Sequence, residues 1–257
     1  MLNQLNEIGT REAIAKWDSF ADAYAENHGE QGDLHKEVFL NPVLLSMIGN
    51  AAKKQVLDAG CGEGYFSRIL ARSGAAVTAV DYSSKMIAIA KERTPADLQI
   101  EYKQGNLEDM QAFRNKKFDL IVSNMVMQDL ANYEKVFQEM HRLLSDEGHF
   151  IFSILHPCFA TPESGWEKAD NGEKLHWNVD QYFYEGAYEQ RFGGQEKVFL
   201  FHRTLTSYLN TLLKTGFTLV QMDEPVPSEE ALKKYPSFKE DLRCPDFIIF
   251  QLKKTSA

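Results

Sequence analysis

The sequence is poor in cysteine, has no excess of positive charge and contains no long apolar run. Its three cysteines, Cys61, Cys158 and Cys244, stand far apart in 257 residues. No pair has the spacing of a zinc site, and an odd number closes no disulfide framework, so neither a metal nor a disulfide staple is expected. Lys and Arg number 28 against 37 Asp and Glu, a net charge of −9. That balance argues against a broad phosphate-binding surface and so against a nucleic-acid partner. No stretch approaches the ~18 apolar residues of a membrane span. Residues 1–17 lack the apolar centre and cleavage-like site of a secretory signal. Together these absences point to a reducing cytoplasm. A G-x-x-x-x-G-K-[ST] loop is also missing, which disfavours a nucleoside triphosphate.

What is present is ordinary globular chemistry, with 44% hydrophobic and 25% charged residues. From about Thr10 to Asn27 the apolar positions Ala13, Ile14, Trp17, Phe20, Ala21 and Tyr24 recur at helical spacing. Asn41-Pro42 reads as a helix start, Asn as cap and Pro at the first helical position. From Gln55 strand and helix signals alternate. Strands are expected at residues 55–59, 76–80, 99–103, 118–123 and 148–155, with helices of about ten residues between them. Such alternation implies right-handed βαβ units and a parallel sheet. After His156-Pro157 the pattern breaks. Residues 159–201 hold ten aromatics and eight acids against four Lys and Arg, with no sustained period, and read as an insertion. A helix at 203–215 and two strands, 217–222 and 246–252, complete the chain. A Pro-containing loop joins the last two strands and leaves little room for a helix, so they are expected to be antiparallel.

The sharpest constellation is VLDAGCGEGYF at residues 56–66, in which Asp58, Gly60, Gly62 and Gly64 lie two apart between a strand and a helix. Glycines permit a tight turn and let a ligand approach the backbone. A helix N-terminus behind them offers free N–H groups to an anionic group. Asp81 ends the second strand, where a doubly wound fold places an acid to bond ribose hydroxyls. A glycine turn beside a solvated Asp is the plainer alternative, but strand, loop, helix, strand and terminal acid in register weigh against it. The spacing is not the G-x-G-x-x-G of NAD folds.

These residues resemble a class I S-adenosylmethionine-dependent methyltransferase of the small-molecule type. The first motif is Val56 to Gly64, the acid of strand two is Asp81, and the adenine loop is Gly105-Asn106-Leu107-Glu108. The fourth- and fifth-strand motifs are Phe118 to Asn124 and Leu143 to Phe150. The resemblance covers residues 10–156 well and the last helix and strands more loosely. It implies a Rossmann-like α/β fold: a doubly wound, seven-stranded, mostly parallel sheet with the last strand antiparallel. One domain over residues 1–257 is implied, divided into an N-terminal helical cover (1–50), a cofactor-binding core (51–156), a lid insertion (157–202) and a C-terminal helix with a strand pair (203–257).

The resemblance also implies S-adenosyl-L-methionine as cofactor and assigns roles. Gly60, Cys61 and Gly62 would pass close to its methionine part, with Asp58 beneath. Asp81 would hold the ribose, and Tyr82 and Met86 would pack on adenine. Asn106 and Leu107 would read the adenine edge; relatives more often carry Asp where this chain has Asn106. Asn124 would border the reaction centre, and Tyr24 would close over the cofactor. His156, at the end of the fifth strand, is the candidate catalytic residue, as base or hydrogen-bond partner, unless it merely caps the strand. His202 is a weaker candidate, and His28 reads as a surface residue. Trp166, Trp177, Tyr182, Tyr184, Tyr188 and Phe192 suggest a lid over a small-molecule acceptor, or else a minor core under a long loop. A nucleic-acid methyltransferase of the same fold is disfavoured because strand four runs into Ser123-Asn124-Met125-Val126, without the N/D-P-P-Y/F that holds a flipped base. A non-catalytic cofactor binder of this fold stays open.

Overall fold

A computed structural model describes residue 5, residues 7–192 and residues 196–255. The chain begins with α1 (Thr10–Ser19) and α2 (Ala21–Glu26), separated at Phe20, so the expected single helix is two. A π-helical turn at Lys36–Leu40 runs directly into α3 (Asn41–Ile48). Asn41 is therefore the first residue of a continuing helix and not its cap.

The core follows as β1 (Gln55–Ala59), α4 (Tyr65–Arg72), β2 (Ala76–Asp81), α5 (Ser84–Arg93), β3 (Ile100–Gln104), β4 (Phe118–Asn124), α6 (Tyr133–Leu143) and β5 (Leu144–Leu155). Side-chain caps open two of these helices: the Ser83 hydroxyl accepts from the Met86 N–H, and the Asn132 side chain accepts from the Lys135 N–H. The stretch read as an insertion forms two antiparallel hairpins, β6 (Gly165–Lys168) with β7 (Lys174–Asn178), and β8 (Gly186–Phe192) with β9 (Glu196–His202). Then come α7 (Leu205–Thr215), β10 (Phe217–Asp223), α8 (Glu229–Lys234) and β11 (Phe247–Lys254). Helix α8 and a 3-10 turn at Pro236–Leu242 occupy the loop thought too proline-rich for a helix. β10 and β11 are antiparallel as expected, although the premise about their loop fails.

The seven-stranded sheet has the order β10-β11-β5-β4-β1-β2-β3. All its pairings are parallel except those of β11 with β5 and β10. It is a doubly wound Rossmann-like sheet with helices on both faces. Successive residues of the central strands feed opposite cores. Leu57 and Ile121 join Phe137, Phe152 and Tyr208 on one face, while Val56, Leu120 and Val122 join Phe66, Leu70 and Leu44 on the other. Each such fully buried side chain contributes roughly 1.5–3 kcal/mol of transfer free energy. The strand order reverses between β1 and β4, and doubly wound sheets open a ligand crevice at the carboxyl ends of the strands at that point. Ser123 Oγ locks this edge by donating to the Ala59 carbonyl at 2.7 Å.

The N-terminal helices lie over that edge on apolar packing of Ala13, Trp17 and Phe20 against β8 and β9 and on a few polar bonds. Arg93 Nη1 donates to the Ala25 carbonyl at 2.7 Å and Lys85 Nζ to the Asp18 carbonyl at 3.0 Å. The Ser83 hydroxyl bonds the Asp18 carboxylate, and the Thr10 hydroxyl bonds Glu108 while accepting from the Ala131 N–H at 2.7 Å. No helix among the described residues is long and apolar enough to cross a membrane.

Candidate functional site

The loop after β1 is built by backbone bonds to its neighbour strand. The N–H groups of Gly60 and Cys61 both donate to the Val80 carbonyl, at 2.8 and 3.0 Å, and that of Gly64 donates to the Cys61 carbonyl at 3.0 Å. Gly60 has a φ of +83°, and a Cβ there would lie 2.6 Å from Val126 Cγ1 and closer still to Cγ2. Gly62, with a φ of +53°, has nothing within 4 Å of where its Cβ would be. The loop is thus tight against Val126 on one side and open on the other, a cradle that a side chain at Gly62 would fill.

Two carboxylates frame the loop. Asp58 is buried and accepts from Ser67 Oγ at 2.5 Å. Burial pushes its pKa up to about 7 against the opposing Ser67 bond. Asp81 is half-buried and accepts from the Gly62 N–H at 2.8 Å and the Ser83 N–H at 2.9 Å. Desolvation again outweighs these bonds and raises it to about 6. Each oxygen of Asp81 has accepting capacity left for a further donor.

The open side of the loop faces a cavity. Tyr24, Asp58, Gly60, Cys61, Gly62, Asp81, Met86 and Asn124 all line it, so eight of the eleven residues expected at the cofactor come together there. Burial pushes the Cys61 thiol up, which keeps it protonated and inert.

Tyr82, Asn106, Leu107 and His156 are not among the lining residues. Leu107 turns its side chain into the core with Met110 and Phe113, and Asn106 Oδ1 accepts from the Glu108 N–H at 2.9 Å to shape its own loop. Tyr82 is half-buried, and its carbonyl accepts from Gln104 Nε2 at 3.2 Å. His156 is buried with both ring nitrogens engaged, Nε2 to Glu224 Oε1 at 2.8 Å and Nδ1 to the Cys158 N–H at 3.2 Å. Desolvation lowers its pKa despite Glu224. This geometry anchors the strand end and brings no histidine to the cavity from that position. His202 likewise bonds the Tyr182 carbonyl at 2.9 Å.

The sequence reading missed Trp17, His28, Lys36, Met125 and Asp129, which also line the cavity. His28 is no surface residue. It is 8% exposed, and its Nε2 lies 2.9 Å from the buried Lys36 ammonium, which also donates to the Tyr24 hydroxyl at 3.1 Å and to Asp33 Oδ2 at 2.6 Å. Desolvation acts against the Lys36 charge, but Tyr24 and Asp33 outweigh it and hold the ammonium protonated. Met125 follows β4 at a φ of +62°, a strained backbone for a non-glycine residue, and is held by the Ser153 hydroxyl at 3.0 Å. Asp129 accepts from Trp17 Nε1 at 3.0 Å, and burial raises its carboxyl to about 8.

A second cavity adjoins the first, and Trp17, Tyr24, Lys36 and Met125 line both. Its far wall comes from β8 and β9, through Gln190, Val198 and Leu200, and from Leu155 and Phe247 at the strand ends. Tyr188 and Trp177 do not face it. The side chain of Phe192 lies outside the described residues.

Comparison with known proteins agrees with this geometry. A family model described as "Methyltransferase domain" matches residues 57–152. A solved structure from Listeria monocytogenes, assigned to the S-adenosylmethionine dependent methyltransferases, is 33% identical. The alignment covers 84% of this chain and 96% of that one, with a TM-score of 0.74. An S-adenosylmethionine dependent methyltransferase from Mesorhizobium loti is 28% identical over 88% of this chain and all of its own, with a TM-score of 0.76. The ubiquinone biosynthesis O-methyltransferase of Pseudomonas syringae pv. tomato is 29% identical over 57% of this chain and 63% of its own length. At one-third identity across nearly the whole of a solved relative, the likeness extends beyond the core motif, and the chain belongs to the S-adenosylmethionine-dependent methyltransferases, enzymes that use S-adenosyl-L-methionine as their cofactor.

Proposed function

We propose that the enzyme methylates a small molecule held in the second cavity, with the cofactor in the first. One observation carries this reading: the two cavities adjoin, with Trp17, Tyr24, Lys36 and Met125 lining both. An in-line displacement needs donor and acceptor on opposite sides of a single transfer point, and two sites that meet at these residues supply that alignment. When bound, the cofactor supplies an activated methyl group on a sulfonium; the protein's part is binding, orientation and exclusion of water.

The first cavity suits this cofactor. Gly60 and Gly62 would lie against its methionine part, the spare capacity of the Asp81 oxygens would take the ribose hydroxyls, and Asp58 would face the ammonium. Met86 would pack on the adenine, with Tyr82, Asn106 and Leu107 flanking the open end. Asn124, whose Nδ2 donates to Tyr65 at 2.7 Å, would border the transfer point. His156 has no part in this scheme, because its partners are structural.

Most of the second cavity's wall is apolar, which suits a largely apolar acceptor. The relative from Pseudomonas syringae, an O-methyltransferase by name, supports a small-molecule acceptor over a nucleic acid, as does the net charge of −9. The three unpaired cysteines fit a reducing cytoplasm, and residues 1–257 are read as one catalytic unit.

Calorimetry tests the cofactor assignment. S-adenosylmethionine should bind the wild type with micromolar affinity, and Asp81→Ala should weaken binding at least tenfold, since two hydroxyl bonds of about 1 kcal/mol each are lost. Binding unchanged in Asp81→Ala would refute the placement. Salt-sensitive retention on RNA would revive the nucleic-acid reading.

A further inference from the structure

Four carboxylates line the first cavity, and three of them have structural work. Asp58 is bonded by Ser67, Asp81 by two loop N–H groups, and the buried Glu63 by Arg68 and the Tyr65 N–H. Asp129 differs. It is 7% exposed, and among the described residues its carboxylate accepts one hydrogen bond, from Trp17 Nε1 to Oδ1. Its second oxygen accepts no hydrogen bond among the described residues, and the residue lines the cavity. A buried carboxylate with an unfilled oxygen is costly unless a ligand completes it.

The chain invests heavily in placing this group. The residues just before and after it are held by Arg203, whose guanidinium donates to the carbonyls of Met127 at 3.1 Å, Ala131 at 3.0 Å and Leu130. Trp17, which bonds Asp129, is also one of the four residues shared by the two cavities. Asp129 is therefore fixed beside the wall where the transfer would take place.

Resting on the proposed placement of the cofactor, we propose that Asp129 is the charge partner of the cofactor's sulfonium and the residue that distinguishes the charged cofactor from its spent, neutral form. Asp129 without a ligand favours its protonated form, because burial outweighs the Trp17 bond. A cation brought into the same cavity displaces that proton and pairs with the carboxylate. On transfer, the S–CH3 bond breaks with its electron pair left on sulfur, and the acceptor's lone pair makes the new bond to methyl. Sulfur is then neutral, and Asp129 takes back a proton, from the acceptor where that has one to lose and from solvent otherwise. The pairing that held the cofactor is gone, which favours release of the spent form. The charged and titratable groups around Asp129 are Asp81 at the end of β2, Arg203 before α7, Tyr24 on α2 and Tyr188 on β8.

S-adenosylmethionine and S-adenosylhomocysteine differ by the methyl group and the sulfonium charge, so comparing them isolates this effect. Both carry the ammonium and ribose that face Asp58 and Asp81, and proton changes at those groups cancel in the comparison. Calorimetry in two buffers of different ionisation heat counts the protons released. At pH 7 the wild type should release close to one proton more with S-adenosylmethionine than with S-adenosylhomocysteine. Asp129→Asn keeps the Trp17 bond and the shape. It should abolish that difference and weaken S-adenosylmethionine about tenfold, as expected for loss of one partly screened charge pair, while leaving S-adenosylhomocysteine within about twofold. Equal weakening of both ligands, or an extra proton that persists in Asp129→Asn, would overturn the proposal. Failure of both ligands to bind the wild type would instead remove the cofactor from this cavity, and the proposal with it.

Discussion

Gly60→Ala offers a test of how tightly the glycine loop is built. Two costs add. The residue would sit at a φ of +83°, where an L side chain costs about 1–2 kcal/mol. Its Cβ would also meet both γ carbons of Val126 at 2.6 Å or less, and Val126 Cβ at 3.0 Å. Rotation of the valine moves its γ carbons but not its Cβ, so the backbone after β4 must shift, an overpacking cost of about 1–3 kcal/mol. The total is about 2–5 kcal/mol. For a chain of this size each kcal/mol lowers the melting temperature by about 2–4 °C. Differential scanning calorimetry of ligand-free protein should therefore show a fall of at least about 4 °C. Val126→Ala in the same chain removes the γ carbons and should recover part of the loss, giving a coupling of about 1–2 kcal/mol between the two sites. The backbone part should remain. A Gly60→Ala protein that melts with the wild type, or a double variant with strictly additive losses, would show that the loop is looser than these distances imply.

Asp58→Asn should change how stability depends on pH. The folded-state pKa of Asp58 is raised, to about 7 from the usual carboxylate value of 3.8. Its contribution is thus fully present below about pH 4 and is lost as pH rises through 7. Chemical denaturation of ligand-free protein should show the variant gaining on the wild type between pH 4 and 8, and parallel curves would refute the assignment. Arg203→Lys should cost about 2–4 kcal/mol by urea denaturation, because one ammonium cannot serve the three carbonyls that the guanidinium fork reaches; an unchanged midpoint would count against that role. Lys36→Met should cost about 3–5 kcal/mol by leaving Asp33, His28 and Tyr24 without their shared donor, and adding Asp33→Asn should return part of it. No recovery in the double variant would mean that the buried pair is not the source of the loss.

The sheet and the glycine loop were legible because local signals there agree with the tertiary environment. Central strands such as β4 carry a buried apolar run, Leu120 to Val122, whose side chains feed both faces, and Asp81 ends its strand at the register the fold requires. The hairpins were illegible for a physical reason. Val198 and Leu200 alternate with Phe199 and Phe201, but Phe201 is buried as well, so β9 shows no polar face. Helix α8 had a readable start, with the Ser228 side chain accepting from the Ala231 N–H and Glu229 and Glu230 in the first turn, but the neighbouring prolines dominated the reading. His28 looked like a surface residue because what buries it, Tyr24 and Tyr65, is brought to it only by the fold. Asp129 carried one usable signal. It follows β4 by a few residues, at the carboxyl edge of the sheet, and a carboxylate there merited the attention given to His156.

Trp17 and Tyr24 belong to the N-terminal helices, yet each helps wall both cavities. These helices are tied to the body of the protein by the polar latches at Asp18, Ala25 and Thr10. A displacement that lifts this pair of side chains therefore unseals both chambers together. On the proposed placement, exchange of cofactor and exchange of acceptor would share one door, and the rate at which its latches open would set a ceiling on turnover independent of the methyl-transfer step.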